Sequence, residues 1–539
     1  MIFLFLERPR GDRGPGSRQR LRYPRGVNPT RLRRPLRPAR LLSMLLALWL
    51  VACASVTNPV TGERELTVMD ERAEIAEGAK AHQEVLKEYA VVDSPALQAY
   101  VNGVGQKLAA QSHRASLKWT FTVLDSPEVN AFALPGGYVY VTRGILAYLD
   151  SEAELAGVVG HEIGHVTARH GAQRATSQAR AGWAVLGATV LGAVVEAATG
   201  VRGLTQAAGD IAQTGAAGFI ARYGREQELQ ADQLGAEYLA RTHYDPQRMV
   251  DVIQVLKDQE RYAADAARAA GRAPPAEPGW LASHPSNDQR LAEIRAAAAR
   301  LKAAQPGAVD DGRLRYLKAI DGIGFGDGRE QGVVRGRQFL HEPLGIAITA
   351  PEGWAIVNEA QQVTLVNAAR DAALLLQPVP PAVLGKTGTD HQAILRQALG
   401  ATEGRSERLT LGGRLNATYY NGLRRDAQGR VGALEATIAD GPRGQVFLLA
   451  HIGRDAAARE RARSAMREAE LSFRALGAAD RALARPWRVR LVPLPPGGFA
   501  QLARNAPVTE LPEQQLRLLN GVYSGQALPR DGELVKTIE

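Results

Sequence analysis

A pair of histidines four residues apart, His161 and His165 in the stretch GVVGHEIGHVTARHG, constrains the fold more than any other feature of the sequence. Two imidazoles can each reach one zinc ion, about 2 Å away, if they lie one turn apart on one face of a helix. Ser151 and Glu154 have the S-x-x-E spacing of a capping box just before this apolar run. The sequence therefore predicts a helix that begins at Ser151 and presents both histidines to a metal.

Glu162 follows the first histidine directly, about 100° further around such a helix. From there a carboxylate can hold a water molecule beside the metal without binding the metal itself, which is the position of a catalytic base. The alternative is a helix with two hydrogen-bonded histidines and no metal. That alternative does not explain why two histidines and an acid lie in a Gly/Val/Ile-rich helix that should be buried, where each unpaired polar group costs roughly 1–3 kcal/mol.

A catalytic zinc site needs a third protein ligand and keeps its fourth position for water. One arrangement places a third histidine ten positions after the first, but Gly171 stands there. His170 lies one position earlier and points off the ligand face, roughly half a turn away. We interpret His170 as a polar residue at the helix end, so the third ligand must come from another part of the chain.

A later helical segment, YGREQELQADQLGAEYLA (223–240), offers that ligand. Glu228 and Asp232 lie one turn apart on it, so Glu228 can bind the metal while Asp232 accepts a hydrogen bond from the outer nitrogen of a ligand histidine. Glu226 is the competing ligand, but the residue one turn after it is Gln230, which is not an acid. We expect Glu228 to complete the site of one Zn²⁺ per chain.

The chain has 66 basic and 56 acidic side chains, and the basic excess is confined to its N-terminal end. Twelve arginines and two acidic residues lie within residues 1–53, which leaves 54 side chains of each sign in residues 54–539. A neutral body lacks the clustered basic face that binding to a phosphate backbone requires. We therefore expect no nucleic-acid partner.

The basic N-terminal end leads into LLSMLLALWLVA (41–52), an apolar run with the length of a signal-peptide core that is too short for a typical membrane-spanning helix. It ends in LVAC (50–53), which resembles the lipobox of a bacterial lipoprotein signal. Cys53 is the one cysteine of the chain, so no intramolecular disulfide competes for it, and several acyl chains on one residue make a stable anchor. The alternative is a buried cysteine after a hydrophobic segment. An upstream mis-start of translation is one interpretation of residues 1–30.

HEIGH, the later R-x-x-E-x-x-A-D (225–232) and the preceding NAFALPGG (130–137) together resemble the HtpX and prenyl-protease type of zinc metallopeptidase, a gluzincin family. The lipobox, NPVTG (58–62) and SHPSNDQR (283–290) are similar to its periplasmic branch, which includes BepA-like proteases. The resemblance covers about residues 55–300 and does not extend to the tetratricopeptide helices that follow in BepA-like proteases. It implies metal ligands, a base and an orienting carboxylate at His161, His165, Glu228, Glu162 and Asp232.

Two further residues are candidates for catalysis and substrate binding. His284, which precedes a proline, is a candidate to donate to the oxyanion or to make an inhibitory contact to the zinc, and an ordinary loop histidine is the alternative. The stretch NAFALPGGYVYV (130–141) predicts a hairpin of two short strands joined by Pro-Gly-Gly. An extended peptide could add to the edge of these strands with Asn130 near the site, or they could be ordinary core strands.

The sequence predicts a multidomain protein: a mainly α-helical metallopeptidase domain with a small β-hairpin or sheet, an α+β module and a small LysM-like βααβ module. The last segment resembles a LysM module in its order and in LRLLNG (516–521), although Gly498 and Phe499 replace the usual Asp-Thr. A PsbP-like sheet is the interpretation for the α+β module. The low-charge stretch 181–200 is interpreted as a packed helix or a membrane-leaning active-site flap, with a transmembrane helix as the alternative. The predicted boundaries are a lipoprotein signal peptide at 1–53, a tether at 54–75, the zinc metallopeptidase domain at 76–305, a linker at 306–337, the α+β accessory domain at 338–476 and the LysM-like domain at 485–539.

These features predict a zinc-dependent endopeptidase of the bacterial cell envelope that cleaves misfolded or partly assembled envelope proteins. Zinc would acidify a water molecule and polarise the scissile carbonyl, while Glu162 takes the proton and returns it to the leaving amine. Lipidated Cys53 would anchor the protein to a membrane in the periplasm, and the outer membrane is favoured because Ala54 is not the aspartate that favours inner-membrane retention. Residues 485–539 predict a peptidoglycan contact. The alternatives are a non-catalytic envelope scaffold with structural zinc and a lipoprotein that binds or hydrolyses peptidoglycan.

Overall fold

In a computed structural model of the chain, the motif HEIGH lies in the helix that the capping signal predicts, with Ser151 as its N-cap. The Ser151 Oγ accepts a hydrogen bond from the Glu154 backbone N–H at 3.1 Å, an interaction whose loss typically costs about 1 kcal/mol. The Glu154 carboxylate accepts from the backbone N–H of Asp150 at 2.7 Å rather than from that of Ser151. The predicted start of the helix is therefore confirmed, and the second bond of the cap is displaced by one residue.

The structure describes most of the chain from residue 54 onward. The predicted signal peptide with Cys53, the low-charge stretch 181–200 and most of the segment that surrounds His284 lie outside the described residues. The described residues are 54–180, 223–269, 271, 284, 288–304, 309–359, 361–426 and 428–539.

Helices dominate the first half of the described chain and strands the second half. The helices are α1 Glu71–Glu88, α2 Pro95–Ala109, α3 Arg143–Tyr148, α4 Glu152–Thr167, α5 Arg225–Arg241, α6 Arg248–Ala269, α7 Asp288–Ala303, α8 Arg313–Ile320, α9 Pro381–Thr387, α10 His391–Ala393, α11 Ala456–Leu471, α12 Ala478–Leu483, α13 Gly498–Ala503 and α14 Pro512–Leu519, with further helical residues at 170–180 and a π-helical turn at Ile394–Ala398. The strands are β1 Ala54–Thr57, β2 Arg64–Thr67, β3 Thr120–Leu124, β4 Ala131–Leu134, β5 Tyr138–Thr142, β6 Gly324–Phe325, β7 Val333–Arg335, β8 Gln338–His341, β9 Ile346–Thr349, β10 Ala355–Asn358, β11 Val363–Val366, β12 Ala372–Pro378, β13 Ala401–Leu411, β14 Leu415–Arg425, β15 Val431–Asp440, β16 Val446–Gly453, β17 Arg474–Ala475, β18 Trp487–Pro493 and β19 Leu534–Ile538.

The motif helix α4 is buried along its whole length and packs closely against α5. Two glycines of α4 allow this approach: a Cβ on Gly164 would lie 3.0 Å from the Ala231 backbone oxygen, and one on Gly160 would lie 3.3 Å from the Gly235 Cα. Contacts this short leave no room for larger side chains in a close-packed interior. The glycines within and beside HEIGH therefore bring the histidine face of α4 against α5.

A three-stranded sheet in the order β3-β5-β4 precedes α4. β4 and β5 are antiparallel and are joined by Pro135, Gly136 and Gly137, so the predicted hairpin is confirmed. Both glycines have positive φ angles, 82° and 98°, which the turn requires and which glycine adopts at no steric cost. β3 pairs with β5 in parallel and leaves β4 as an outer strand.

The segment predicted as a tether, 54–75, is instead folded onto the first domain. β1 and β2 form an antiparallel hairpin, and α1 begins at Glu71. Asn58 is only 1% exposed and donates from Nδ2 to the Ala168 backbone oxygen at 3.1 Å, just after the motif helix. The hydroxyls of Thr67 and Thr176 lie 3.0 Å apart. The polar residues that suggested a solvated tether in fact hydrogen-bond to the protein.

The predicted linker 306–337 contains α8, β6 and the first residues of a further sheet. The apolar face of α8 is buried in the core of the first domain through Tyr316, Leu317 and Ile320. In a solvated linker these side chains would be exposed. β6 pairs with β18 of the last segment, where Phe325 lies opposite Trp487. The linker prediction therefore overlooked a short amphipathic helix and a two-residue strand.

The last segment has the predicted order strand, helix, helix, strand, with β18 and β19 antiparallel. Its apolar residues, among them Val489 and Leu516, belong to the same continuous core as those of α4. Lys536 of β19 is fully buried, and its Nζ donates to the backbone oxygens of Ala147 at 3.0 Å and Leu149 at 2.6 Å. The segment thus packs as part of the domain that carries HEIGH.

The accessory module is rich in β-structure, as predicted. Its main sheet has seven antiparallel strands in the order β10-β11-β12-β16-β15-β14-β13, and α11 covers it through Ala462, Met466 and Ala469. A smaller sheet follows the order β17-β9-β8-β7. Among all helices in the described part of the chain, none combines the length and the apolar character that crossing a bilayer would need.

Candidate metal centre

The close packing of α4 on α5 brings three predicted ligands together. The Nε2 atoms of His161 and His165 lie 3.0 Å apart. The Glu228 carboxylate lies 3.5 Å from each of these nitrogens, with Oε2 toward His161 and Oε1 toward His165. All three side chains are at most 1% exposed. In the described part of the chain, they and His284 form the one group of His, Cys, Asp or Glu side chains suited to hold a metal.

The spacing of this group fits a tetrahedral zinc ion. Ligand atoms about 2.0–2.1 Å from such an ion lie about 3.3–3.4 Å from one another. Five of the six pairs lie 2.9 to 3.5 Å apart, including 3.2 Å between His284 Nδ1 and His161 Nε2 and 2.9 Å between His284 Nδ1 and Glu228 Oε1, and all four groups lie within 4.8 Å of one another. Imidazole nitrogens and a carboxylate oxygen are also the ligand types that zinc prefers.

The buried environment keeps the histidine ligands unprotonated, which is the form that binds a metal. Burial lowers the pKa of His161 and lowers that of His165 further, so both imidazoles are neutral near pH 7. Burial also raises the pKa of Glu228 to about 7, against the opposing influence of His161 and Arg290. A metal binds the ionised carboxylate, so the cation and Glu228 stabilise each other.

Asp232 lies behind His161. Its Oδ1 is 2.9 Å from the His161 Nδ1, which leaves the His161 Nε2 to face the metal group. Burial works to raise the pKa of Asp232, but the Arg290 guanidinium and His161 outweigh it and hold that pKa at about 2. Asp232 is therefore ionised near neutral pH.

Arg290 is a residue that sequence reasoning missed. It is 1% exposed and donates from Nη2 to Asp232 Oδ1 at 2.8 Å, while Nη1 lies 3.0 Å from Glu228 Oε2. It thus orients two carboxylates of the centre at once. Its signal in the sequence was SHPSNDQR, where the arginine follows His284 by six positions.

Glu162 stands next to the metal group without belonging to it. Its side chain is fully buried on α4, and its Oε1 is 3.7 Å from the His284 Nε2. A carboxylate in this position can exchange a proton with a substrate or a water molecule rather than bind the ion.

His284 is brought into the centre, although the sequence could not choose between a site residue and a loop histidine. Its Nδ1 is directed at His161 and Glu228, at the fourth corner of the group. It is 1% exposed, and burial lowers its pKa well below the usual range. This is the corner that water must reach in a hydrolase.

Asn130, the predicted substrate-binding residue, lies just before β4. It is half-buried at the start of β4, where its backbone N–H donates to the Thr142 Oγ1 at 3.2 Å. The other end of β4, at Leu134, lines a small crevice together with His165 and Tyr223. Leu134 at the end of this strand is therefore next to the metal ligand His165.

Tyr223 and His170 are two further residues whose roles the sequence did not predict. The Tyr223 ring stacks on His165 with centroids 3.9 Å apart and planes inclined by 21°. The His170 Nδ1 lies 2.9 Å from the His165 Nδ1, and its Nε2 lies 2.8 Å from the Gln230 Oε1. His170 is thus off the ligand face, as predicted, but it contacts a ligand from behind.

The hydrogen bonds of His170 fix the proton on His165. The Gln230 oxygen accepts, so the His170 Nε2 carries a proton. Burial lowers the pKa of His170 to about 4, so the ring is neutral and its Nδ1 accepts from the His165 Nδ1–H. The His165 Nε2 is then left with its lone pair toward the metal group.

We expect His170→Ala to weaken zinc binding about 10–100-fold, because removing such a partner lets the ligand ring rotate and change tautomer. Competition for zinc with a chelator measures the affinity. His170→Gln, whose amide oxygen can still accept from His165, should recover part of the loss. Unchanged affinity in His170→Ala would show that His165 needs no such support.

A buried helix that presents two histidines and an acid, facing a glutamate and an aspartate from a second helix, is the arrangement of a gluzincin-type metallopeptidase. Residues 74–298 match the profile described as Peptidase family M48, and they form a domain of that family. The family resemblance of the motifs is thereby confirmed.

Relatives with described functions match the same part of the chain. The "Beta-barrel assembly-enhancing protease" of Escherichia coli (strain K12) is 31% identical over 245 residues, covering 45% of this chain and 46% of that protein. The protein of the same name from Yersinia pestis is 32% identical over 215 residues, covering 39% and 41%. "Mitochondrial metalloendopeptidase OMA1" of Arabidopsis thaliana is 33% identical over 171 residues, covering 32% of each chain. The chain thus spans less than half the length of these relatives.

A solved structure matches part of the chain. It is the solution structure of cyanobacterial PsbP (CyanoP) from Synechocystis sp. PCC 6803, which covers 27% of this chain and 98% of its own at 14% identity and a TM-score of 0.19. A TM-score this low carries no argument about a shared fold.

Proposed function

We propose that the protein is a zinc-dependent endopeptidase of the bacterial cell envelope that hydrolyses peptide bonds in misfolded or partly assembled envelope proteins. The observation that carries this proposal is the convergence of His161, His165 and Glu228 beside a buried carboxylate, Glu162, that stays outside the group. The relatives named beta-barrel assembly-enhancing proteases support the proposed location in the envelope and the proposed class of protein substrate.

The residues of the centre divide the work of hydrolysis between them. A zinc ion, when bound by the three ligands, supplies Lewis acidity that makes water more acidic and polarises a carbonyl. Glu162 takes the proton from the attacking water and returns it to the leaving amine. Asp232, Arg290 and His170 keep the ligands in place, and the buried surroundings exclude bulk water.

A non-catalytic envelope scaffold with structural zinc is the alternative from another class. A structural zinc site is closed by four protein ligands, and His284 does stand at the fourth corner. A buried glutamate beside that corner has no use in such a site, which favours the protease. Hydrolysis of peptidoglycan is a third possibility that the last segment suggests and the M48 domain does not favour.

Cleavage of unfolded casein by the purified full chain tests the proposal. Activity should vanish when a chelator removes zinc and should return when one equivalent of zinc per chain is added. Cleavage that persists at full rate without metal would contradict it.

We propose that His284 holds the fourth corner in the resting enzyme and must leave before water can enter. His284→Ala should then keep its zinc on three ligands and cleave casein faster than wild type. If His284 instead donates to the oxyanion, the same substitution should slow cleavage by about 10²–10³-fold. Rates and zinc contents of the two proteins separate these outcomes.

We propose further that Cys53 carries a lipid that anchors the protein in the periplasm to a membrane, with the outer membrane favoured. The sequence LVAC and the residue Ala54 after it support this proposal. The LysM-like character of residues 485–539 supports a contact with peptidoglycan.

Labelled palmitate should be incorporated into the wild-type protein and lost in Cys53→Ser, because the thiol is the group that takes the lipid. Membrane fractionation of the same cells should show release of the variant into the soluble periplasm. Equal labelling of both proteins would exclude Cys53 as the site.

A further inference from the structure

A cleft of about 630 Å³ lies where the accessory module meets the last segment, away from the metal centre. Its lining comes from β7, α12, the start of β18 and the last residue, Glu539. A volume of this size is in the range of binding sites for small ligands, roughly 300–1,000 Å³. Four arginines line it: Arg335, Arg485, Arg488 and Arg490.

Three of the four arginines of this cleft form no ion pair within 4.0 Å among the described residues. The Arg335 guanidinium donates to the backbone oxygen of Arg485 at 2.8 Å, and the Arg488 guanidinium to that of Gly322 at 2.6 Å. Carbonyl oxygens position a guanidinium without cancelling its charge. Among the described residues, no carboxylate forms an ion pair with Arg335, Arg485 or Arg488, whereas Arg490 Nε lies 3.5 Å from the Glu539 carboxylate.

The cleft also has an apolar surface beside the arginines. The Trp487 ring is half-buried, and the Arg335 guanidinium lies 4.1 Å from its centroid. Leu483 is 50% exposed at the rim, and two prolines complete the lining. Guanidinium groups beside an aromatic ring suit a ligand with carboxylates and with flat apolar faces such as those of sugar rings.

The shape of the cleft selects among anionic partners. A bilayer surface is flat and cannot enter a concavity between two modules. A single glycan or glycopeptide strand can enter it, and its carboxylates would meet Arg335, Arg485 and Arg488, which form no ion pair among the described residues. We propose that this cleft binds a carboxylate-bearing glycopeptide strand of the peptidoglycan type. The proposal deepens the proposed peptidoglycan contact and does not depend on zinc or on hydrolysis.

Titration calorimetry on the full chain tests this site with a soluble disaccharide-tetrapeptide fragment of peptidoglycan. Arg485→Glu reverses the charge of an exposed arginine of the cleft, and Arg488→Gln removes a second charge. Each should weaken binding at least about tenfold, because hydrogen bonds to charged groups are the strong ones, and added salt should weaken wild-type binding. Arg504→Glu, an exposed arginine of the same segment outside the cleft, is the matched control and should bind as wild type.

Two further probes separate the sources of binding. Neutral chitotetraose should bind much more weakly than the fragment, and vesicles of phosphatidylglycerol should not compete with it. Wild-type affinity for the fragment in both Arg485→Glu and Arg488→Gln would show that the cleft is not the binding site, and the peptidoglycan contact would then lie elsewhere on the protein. No binding of the fragment to the wild-type protein would overturn both. Equal binding of chitotetraose, or binding of vesicles alone, would overturn the assignment of the ligand. Casein cleavage should be the same in all of these variants.

Discussion

The Glu162→Gln protein is expected to keep its zinc and its fold and to cleave casein about 10⁴-fold more slowly than wild type, at or beyond the upper end for loss of a general base. Glu162 is fully buried beside the metal group and does not belong to it, so its amide should not change the ligands. Casein cleavage, zinc content and thermal unfolding of the same preparation measure the effect. The inactive protein should also retain bound substrates in a pull-down from cells.

Glu226→Gln is the matched control, because Glu226 is an exposed glutamate in the first turn of α5. It should cleave casein at the wild-type rate. In cells, Glu162→Gln should behave as a null allele in an envelope-stress assay. Full complementation by a cleavage-dead, zinc-replete protein would mean that hydrolysis is not its essential work.

Alanine at any one of His161, His165 or Glu228 is expected to remove both the zinc and the proteolysis. Each substitution removes one ligand that α4 or α5 holds against the ion, and the neighbouring buried polar groups would lose their partner. Metal analysis after gel filtration should fall from one zinc per chain to a small fraction. Because part of this effect could come from misfolding, circular dichroism should accompany each measurement.

Glu226→Ala separates the two candidates for the third ligand. It should retain zinc and activity, since Glu226 lies at the surface two positions before the buried Glu228. Normal zinc content in Glu228→Ala, with loss in Glu226→Ala, would reverse the assignment.

Local patterns were sufficient to predict the parts of the centre that lie on regular elements. The cap at Ser151, the one-turn spacing of His161 and His165 and the acids of α5 each follow from helical periodicity, and the structure brings the histidines and Glu228 together. The hairpin at Pro135 follows from turn residues whose φ angles only glycine adopts readily. Each of these features depends on residues that are close together in the sequence, so each can be predicted from the sequence alone.

Contacts between distant parts of the chain were not predictable in this way. Asn58 lies in a polar stretch that suggests a solvated tether. Its hydrogen bond to the Ala168 backbone oxygen, 110 residues later, cannot be read from the local sequence. Arg290 and His284 lie beyond the M48 motif helices, and no periodicity connects them with Glu228. The helix α8 was too short for its apolar face to be recognised before the core that it joins was known.

The sharing of one core by the HEIGH domain and the last segment sets an order for biosynthesis. Lys536 binds the backbone oxygen of Ala147, 389 residues earlier, only a few residues before the helix that carries HEIGH begins. Contacts between residues so far apart form late in folding, because a long loop must close first. The ribosome makes the metal ligands long before it makes β19, and the domain cannot complete its core until that strand emerges. A nascent or truncated chain would therefore lack a finished catalytic domain, and proteolysis would be delayed until synthesis is complete.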